Sequence, residues 1–232
     1  MRIGGLHKTT LLDFPGRVSA LIFTQGCNFH CPYCHNPQLA RGEGADLPLT
    51  DVLAFLARRR NVLQGVVISG GEPTLQPGLA AFCAAVRDMG YAVKLDTNGS
   101  RPDVLEALLR QDLLDYVALD VKAPLSAYPD ALCSRAVAAA LPRSVELLAA
   151  SRVPHEYRVT CVRPFVTEQN FSALLEALRP DVPCYLQKAR LDGPVLMPEF
   201  FPTSGQALTA GEVDALASIG TAHGCRCAAR GA

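Results

Sequence analysis

Apolar segments rich in β-branched residues alternate along most of the chain with longer segments whose apolar residues recur at helical spacing. The first kind of segment predicts strands and the second predicts helices. The predicted strands are residues 17–24, 65–69, 91–97, 115–121, 155–162 and 184–189. The predicted helices are residues 49–60, 76–90, 101–111, 142–151, 167–179 and 209–224. Strands and helices that alternate in this way form a parallel sheet, either doubly wound or curled into a barrel.

The connection after the first predicted strand helps to separate these two architectures. It lacks the G-x-G-x-x-G motif that dinucleotide-binding folds carry there. Six strand–helix units without that motif predict an α/β fold with an incomplete parallel (β/α)6 barrel. No linker or low-complexity stretch divides the chain, so we expect a single domain over residues 1–232. Its core covers about residues 17–190, and residues 191–232 form a C-terminal extension.

Composition and charge narrow the setting further. Hydrophobic residues make up 49% and charged residues 19% of the 232 positions, which is typical of a compact globular protein. The 22 basic residues balance the 22 acidic ones, so we expect no nucleic acid partner and no anionic membrane partner. The N-terminus has no secretory signal and no apolar run could span a bilayer, which predicts a cytoplasmic protein. In that reducing compartment the nine cysteines are not expected to form disulfides.

The residues with chemical potential share one position in the pattern, because they follow the predicted strands. In chain order the segments are Cys27 to Cys34, GGEP (70–73), DTNG (96–99), DVK (120–122), Arg158 to Arg163 and QKAR (187–190). In β/α barrels the active site lies at the C-terminal ends of the strands. We therefore expect these segments to meet at one mouth of the barrel.

Three cysteines lie close together after the first predicted strand, with the spacing C-x3-C-x2-C at Cys27, Cys31 and Cys34. A structural zinc ion takes four protein ligands, and His30 or His35 could in principle supply the fourth. An iron–sulfur cube also has four ligand positions, one for each iron. Three thiolates would leave one iron open to a substrate, as catalytic metals keep a free position. Together with the other segments at the mouth, the spacing favours the cluster over zinc.

The same segment resembles a known family. The C-x3-C-x-aromatic-C signature, in which Tyr33 is the aromatic residue, is similar to that of the radical S-adenosylmethionine superfamily. Within it the chain resembles the activating enzymes of glycyl radical enzymes, above all the anaerobic ribonucleoside-triphosphate reductase activating protein family. Residues 3–39 look like the start of that family almost throughout, and the resemblance continues to about residue 190.

The resemblance implies a radical S-adenosylmethionine type of barrel with a [4Fe–4S] cluster on Cys27, Cys31 and Cys34. It implies that the open iron is chelated by the methionine part of S-adenosylmethionine, and that one electron cleaves this molecule to methionine and a 5′-deoxyadenosyl radical. In the activases the radical removes hydrogen from a glycine Cα of a partner protein. The implied partners are a glycyl radical enzyme as substrate and a flavodoxin or ferredoxin as electron donor.

The resemblance also assigns residues to S-adenosylmethionine. Gly70, Gly71, Glu72 and Pro73 would receive the methionine amino group, although the same segment could be a plain strand-to-helix turn. Tyr33 would lie near the adenine, or it could simply pack in the core.

The next two strands carry the remaining candidates. Asp96 and Asn98 belong to a segment that could by itself be an ordinary turn. Lys122 would approach the methionine carboxylate, while Arg158 would bind the cofactor or form a salt bridge at the mouth. The residues that resemble a monovalent cation site in the related pyruvate formate-lyase activase are Asp96, Thr97 and Asp120.

Two further functions and one further motif stay open. A radical S-adenosylmethionine enzyme could act on a small molecule or a modified base, and a metal-binding interaction module would have no catalysis. The pair Cys225 and Cys227 near the C-terminus could belong to an auxiliary cluster but lacks two further ligands. The expected function is that of a glycyl radical enzyme activase.

Overall fold

The computed structural model describes residues 1–201 and 205–230, which form one eight-stranded sheet and eight α-helices. The strands are β1 (Ile3–Thr10), β2 (Ser19–Thr24), β3 (Gly65–Gly70), β4 (Ala92–Thr97), β5 (Tyr116–Asp120), β6 (His155–Cys161), β7 (Pro183–Lys188) and β8 (Arg226–Arg230). The helices are α1 (Pro37–Arg41), α2 (Leu49–Arg58), α3 (Leu79–Asp88), α4 (Pro102–Arg110), α5 (Arg135–Ala138), α6 (Leu141–Ala150), α7 (Glu168–Leu175) and α8 (Ala210–Ala222).

The strands follow one another across the sheet in chain order. From β2 to β8 each strand pairs in parallel with the next. Phe23 of β2 and Gln187 of β7 line the same cavity, so the sheet is strongly curled. In the described part of the chain β1 and β8 do not pair with each other, so the barrel is not closed. The predicted incomplete barrel is confirmed.

Each of the six predicted strands is present, but the sheet has a further strand at each edge. β1 pairs with β2 in the antiparallel sense, and residues 7–9 in its second half are exposed, so the strand shows no apolar alternation there. β8 pairs in parallel with β7 through small and polar residues, of which Arg226 and Ala228 are exposed. Both strands lack the apolar pattern on which strand prediction depends. The predicted C-terminal extension thus contains α8 and β8, and β8 continues the sheet.

The main core lies between the convex face of the sheet and the helices that cover it. Val66, Ile68, Val93 and Leu95 are fully buried on this face, and Leu56 packs with them from α2. Alternate strand residues point the other way, into the barrel. Burial of the apolar face fixes the register of each strand, and the register determines which polar side chains face inward.

The inward face of the barrel carries a buried polar cluster near the N-terminal ends of β5 and β6. Glu156 of β6 is 1% exposed and accepts hydrogen bonds from Arg230 of β8 at 3.0 and 3.3 Å. The hydroxyl of Tyr116 donates to the same carboxylate at 3.0 Å. The guanidinium of Arg230 also lies 3.4 Å from the ring centre of Tyr185. These contacts attach β8 to side chains that face the inside of the barrel.

Among the described helices, none has the length and apolar character that crossing a bilayer requires.

Candidate active site

A cavity of about 270 Å³ opens at the C-terminal ends of the strands. Its walls include side chains from the loop after β2, the loop after β3, and the ends of β4, β5, β6 and β7. Of the predicted site residues, it is lined by Cys27, Cys31, Cys34, Tyr33, Gly70, Gly71, Glu72, Asp96, Asn98, Asp120, Lys122 and Arg158. The structure therefore brings together in one place segments that lie more than 130 positions apart in the chain.

The cysteine loop is held to the body of the protein by its backbone. The N–H groups of Gly26 and Cys27 donate to carbonyls of α1, at 2.7 and 3.0 Å. Further along, the N–H of His30 donates to the carbonyl of Leu132 at 2.9 Å. Cys31 is buried, whereas Cys27 and Cys34 are half-buried. The backbone thus fixes the loop so that the three thiols face the cavity from one side.

The three thiols are free, and burial makes two of them hard to ionise. Burial raises the pKa of Cys27 to about 12 and that of Cys31 to about 11. A cationic metal centre offsets this cost, because thiolate is the form that ligates metal. No group of three His, Cys, Asp or Glu residues in the described ranges 1–201 and 205–230 could hold a metal ion. The donor set around the cavity fits a cluster that offers each thiolate a separate iron.

Neither histidine considered as a fourth zinc ligand is grouped with the three cysteines as a metal site among the described residues. The Nε2 atom of His30 is 2.8 Å from the carbonyl oxygen of Asp130, so this nitrogen is already engaged with the backbone. His35 lies at the edge of the cavity and is exposed.

The two glycines after β3 permit a very close approach between loops. Gly70 has φ of 114°, and a Cβ atom there would lie 2.3 Å from the Thr24 nitrogen. A Cβ atom on Gly71 would lie 2.1 Å from the carbonyl oxygen of Gly26. Both distances are impossible for a real side chain, so this segment must be glycine to lie against the start of the cysteine loop.

Glu72 is 1% exposed, and its carboxylate accepts four hydrogen bonds. One oxygen accepts from the Thr74 N–H at 3.0 Å, the Thr74 hydroxyl at 2.5 Å and the Thr97 hydroxyl at 2.7 Å. The other accepts from the Asn98 N–H at 2.7 Å. Burial raises the pKa of Glu72, while these donors work in the opposite direction. A cationic amine in the cavity would find here a fixed anionic acceptor. Pro73 is buried and begins a short 3₁₀ turn behind the cavity wall.

Five charged side chains form a chain of ion pairs across three strands. Lys94 Nζ lies 2.5 Å from Asp96 Oδ1, and Asp96 Oδ2 accepts from Arg158 at 3.0 Å. The same guanidinium donates to Asp120 Oδ1 at 2.8 Å. Asp120 Oδ2 then accepts from Lys122 Nζ at 3.1 Å. Arg158 therefore bridges the two carboxylates, and each carboxylate has a lysine on its other side.

This arrangement keeps both carboxylates ionised. Burial alone would raise the pKa of Asp96, but Arg158 and Lys94 outweigh it and hold the pKa below its ordinary value. Burial acts on Asp120 in the same sense, yet Arg158 and Lys122 lower its pKa to about 2. Burial alone would lower the pKa of Lys122, but electrostatic attraction to Asp120 and Cys31 outweighs it and raises that pKa. The part of the cavity next to Lys122 is thus a place for an anionic group.

Asn98 links the strand ends to the cysteine loop. Its side-chain nitrogen is 3.9 Å from the sulfur of Cys27 and donates to the side-chain oxygen of Asn28 at 3.1 Å. Its backbone N–H is held by Glu72. Tyr33 is buried, and its ring packs 5.7 Å from the ring centre of Phe165. Its hydroxyl has no hydrogen-bond partner within the described residues. The Tyr33 ring thus packs in the core and also lines the cavity.

Sequence reasoning overlooked Lys94, because this residue lies in the middle of an apolar strand pattern. The spacing between Lys94 and Asp96 could have identified it, because residues two apart in a strand point to the same face. Asp13 and Thr160, which also line the cavity, follow no motif. Arg163, by contrast, pairs with Glu212 outside the cavity.

Cys225 and Cys227 lie away from the cavity, at the far edge of the sheet. In the register of the sheet Cys227 is next to Cys184 of β7.

A family profile described as the radical SAM superfamily matches residues 21–179, which is more than half of the chain. The chain belongs to the radical SAM superfamily. The family predicted from the cysteine signature is confirmed. Radical SAM proteins use a [4Fe–4S] cluster and S-adenosylmethionine, so these two predicted cofactors are confirmed as well.

Curated relatives of this radical SAM protein include activating enzymes. A protein of Methanocaldococcus jannaschii, named provisionally as a glycyl-radical enzyme activating enzyme, is 38% identical over 133 residues, which cover 55% of this chain and 53% of that protein. The pyruvate formate-lyase-activating enzyme of Clostridium pasteurianum is 33% identical over 127 residues, or 52% of each chain. The 7-carboxy-7-deazaguanine synthase of Methanopyrus kandleri is 33% identical over 132 residues, which cover 48% of this chain and 52% of that enzyme. The matches thus span about half the length of these relatives.

Solved structures agree on the fold. SuiB of Streptococcus suis bound to its precursor peptide SuiA superposes with a TM-score of 0.64 at 15% identity, covering 91% of this chain and 48% of that one. The enzyme anSMEcpe with bound AdoMet gives a TM-score of 0.62 at 16% identity, covering 89% and 61%. At this identity the likeness supports the radical SAM fold alone.

Proposed function

We propose that this radical SAM protein is an activase that installs a glycyl radical in a partner enzyme. The observation that carries the proposal is the meeting of the three thiols, Glu72 and Lys122 in one cavity. The curated relatives support the same class of activity, since two of them are named as activating enzymes. The resemblance of residues 3–39 to the anaerobic ribonucleoside-triphosphate reductase activases makes an anaerobic ribonucleotide reductase the first partner to test.

In this proposal Cys27, Cys31 and Cys34 hold the [4Fe–4S] cluster. When bound and reduced by a flavodoxin or ferredoxin, the cluster supplies the electron that cleaves S-adenosylmethionine. The residues of the chain hold that substrate in place. Glu72 accepts hydrogen bonds from the methionine amino group, and Lys122 pairs with the carboxylate. Their hydrogen bonds to neighbouring residues fix both groups in advance, which lowers the entropic cost of orientation.

The test begins with anaerobic reconstitution of the purified chain. We expect about four irons per chain and, with dithionite and S-adenosylmethionine, formation of 5′-deoxyadenosine. The chain is then mixed with a candidate partner labelled with deuterium at glycine Cα. Transfer of deuterium into 5′-deoxyadenosine supports the activase. A colourless chain that holds one zinc would instead support a binding module.

A second candidate function is radical chemistry on a small molecule or modified base. The match to a 7-carboxy-7-deazaguanine synthase favours it, because that relative is about as similar as the pyruvate formate-lyase-activating enzyme. Deuterium that reaches 5′-deoxyadenosine from a labelled small molecule, and not from any partner glycine, would establish this alternative.

A further inference from the structure

The resemblance to pyruvate formate-lyase activase predicts a monovalent cation at Asp96, Thr97 and Asp120. In the structure both carboxylates already have two cationic partners each. Asp96 lies between Lys94 and Arg158, at 2.5 and 3.0 Å. Asp120 lies between Arg158 and Lys122, at 2.8 and 3.1 Å. The guanidinium that joins them occupies the space between the two carboxylates.

Thr97 is engaged as well. Its hydroxyl donates to Glu72 at 2.7 Å and accepts from the Gly99 N–H at 3.1 Å. The three oxygen-bearing side chains expected to ligate an ion are thus all satisfied by the protein itself. A metal ion at this position would have to displace at least one of these partners.

The net charge of these side chains also disfavours a bound metal cation. Lys94, Arg158 and Lys122 carry three positive charges against the two negative charges of Asp96 and Asp120. Lys94 is 1% exposed, and Asp96 is the only acidic side chain that it contacts within the described residues. Adding another cation to this group would increase the repulsion in a poorly solvated place. An anion, in contrast, would balance the surplus positive charge.

We propose that Lys94 and Arg158 supply internally the positive charge that a monovalent metal ion would bring to Asp96 and Asp120, so that S-adenosylmethionine binds without such an ion. This inference rests on the proposed function, because it assigns the cavity to S-adenosylmethionine. Lys94 is a positioning residue in this proposal. It holds Asp96, Asp96 and Asp120 hold Arg158, and Asp120 holds Lys122 beside the methionine carboxylate.

The first experiment measures binding of S-adenosylmethionine to the reconstituted protein by equilibrium dialysis. One sample contains potassium chloride and the other choline chloride at equal ionic strength, since choline is too large for a metal site. Dissociation constants that agree within about threefold support the proposal. Binding that is weaker in choline by more than about threefold would overturn it.

The second experiment uses Lys94→Met, which removes the buried charge and keeps a similar side-chain length. The thermal unfolding midpoint of the reconstituted protein is measured without S-adenosylmethionine in both salts. We expect potassium to raise the unfolding midpoint of this variant, because the ion can take the place of the lost ammonium group beside Asp96. The wild type and the exposed-residue control Lys8→Met should show no difference between the salts. A potassium-specific increase in the wild type would contradict the proposal.

These experiments separate the inference from the proposed function. If S-adenosylmethionine does not bind in either salt, the proposed function fails, and the unfolding midpoints of the wild type still decide whether a potassium ion is held. If Lys94→Met does not fold, the comparison of salts with the wild type decides the matter alone.

Discussion

The backbone N–H of Asn98 donates to the Glu72 carboxylate at 2.7 Å. This contact joins the loop after β3 to the loop after β4, and the side chain of Asn98 then extends towards Cys27. A single buried carboxylate thereby fixes the position of two loops around the cavity. Its charge and its hydrogen-bonding geometry can be tested separately from the cysteines.

Glu72→Gln should weaken binding of S-adenosylmethionine by about tenfold or more, because in the proposed function an amide then replaces the anion that receives the methionine amino group. The amide also puts a donor against either the Asn98 N–H or the two threonines, which costs about 1–3 kcal/mol, although loss of the buried charge offsets part of this cost. Equilibrium dialysis measures the affinity. The exposed control Glu176→Gln should bind as the wild type does. Unchanged affinity in Glu72→Gln would remove this residue from the proposed site.

Gly71→Ala should disrupt the site through sterics alone. The added Cβ would lie 2.1 Å from the carbonyl oxygen of Gly26, directly before the first cysteine, so a backbone segment must move. We expect a loss of about 2–4 kcal/mol in the free energy of unfolding and less iron per chain after reconstitution. The control is Gly193→Ala, where a Cβ atom meets nothing within 4 Å. Full iron retention in Gly71→Ala would show that the two loops can separate without harm.

The sequence was sufficient to predict the barrel and the location of the site. Each parallel strand from β2 to β7 is apolar on the side that meets the helices, and parallel strands end at one edge of the sheet. The convergence of Cys27, Glu72, Asp96 and Asp120 follows from these two facts and from the order of the segments. β1 and β8 could not be predicted in this way, because edge strands with exposed or small residues carry little pattern.

The partners of individual side chains could not be predicted either. The resemblance implies an ion shared by Asp96 and Asp120, whereas in the structure Arg158 lies between them. This arrangement depends on the spacing and curl of β4, β5 and β6, which set the distance that one guanidinium can bridge. Sequence pattern gives the face on which a residue lies, but not the distance to residues on other strands.

Asp120→Asn should reveal the pH dependence of the ion-pair chain. The pKa of Asp120 is lowered to about 2 in the folded state, so its charge stabilises the fold above the unfolded-state pKa of about 4. That stabilisation is lost as the pH falls from about 4 to about 2. Because the side chain is 29% exposed, we expect a difference of about 1–2 kcal/mol at neutral pH.

Urea unfolding of the wild type and of Asp120→Asn, each at pH 7 and near pH 2, measures that difference. The wild type should be the more stable at pH 7, and the gap should narrow in acid. A gap that is independent of pH would mean that the carboxylate contributes through shape and not through charge.

The cysteines divide into those that the cavity brings together and those that it does not. Cys34→Ala should abolish the visible absorption of the reconstituted cluster, because only two of the three thiolates remain to hold the irons. The double variant Cys225→Ala and Cys227→Ala should keep about four irons per chain, since neither residue lines the cavity. Alanine is also compatible with the local packing, because Cys227 lies against Gly220 of α8, where a smaller side chain leaves the helix undisturbed. Iron content, measured per folded chain after removal of unbound iron, distinguishes the two sets. Loss of a second set of irons in the double variant would show that the C-terminal pair holds an auxiliary cluster.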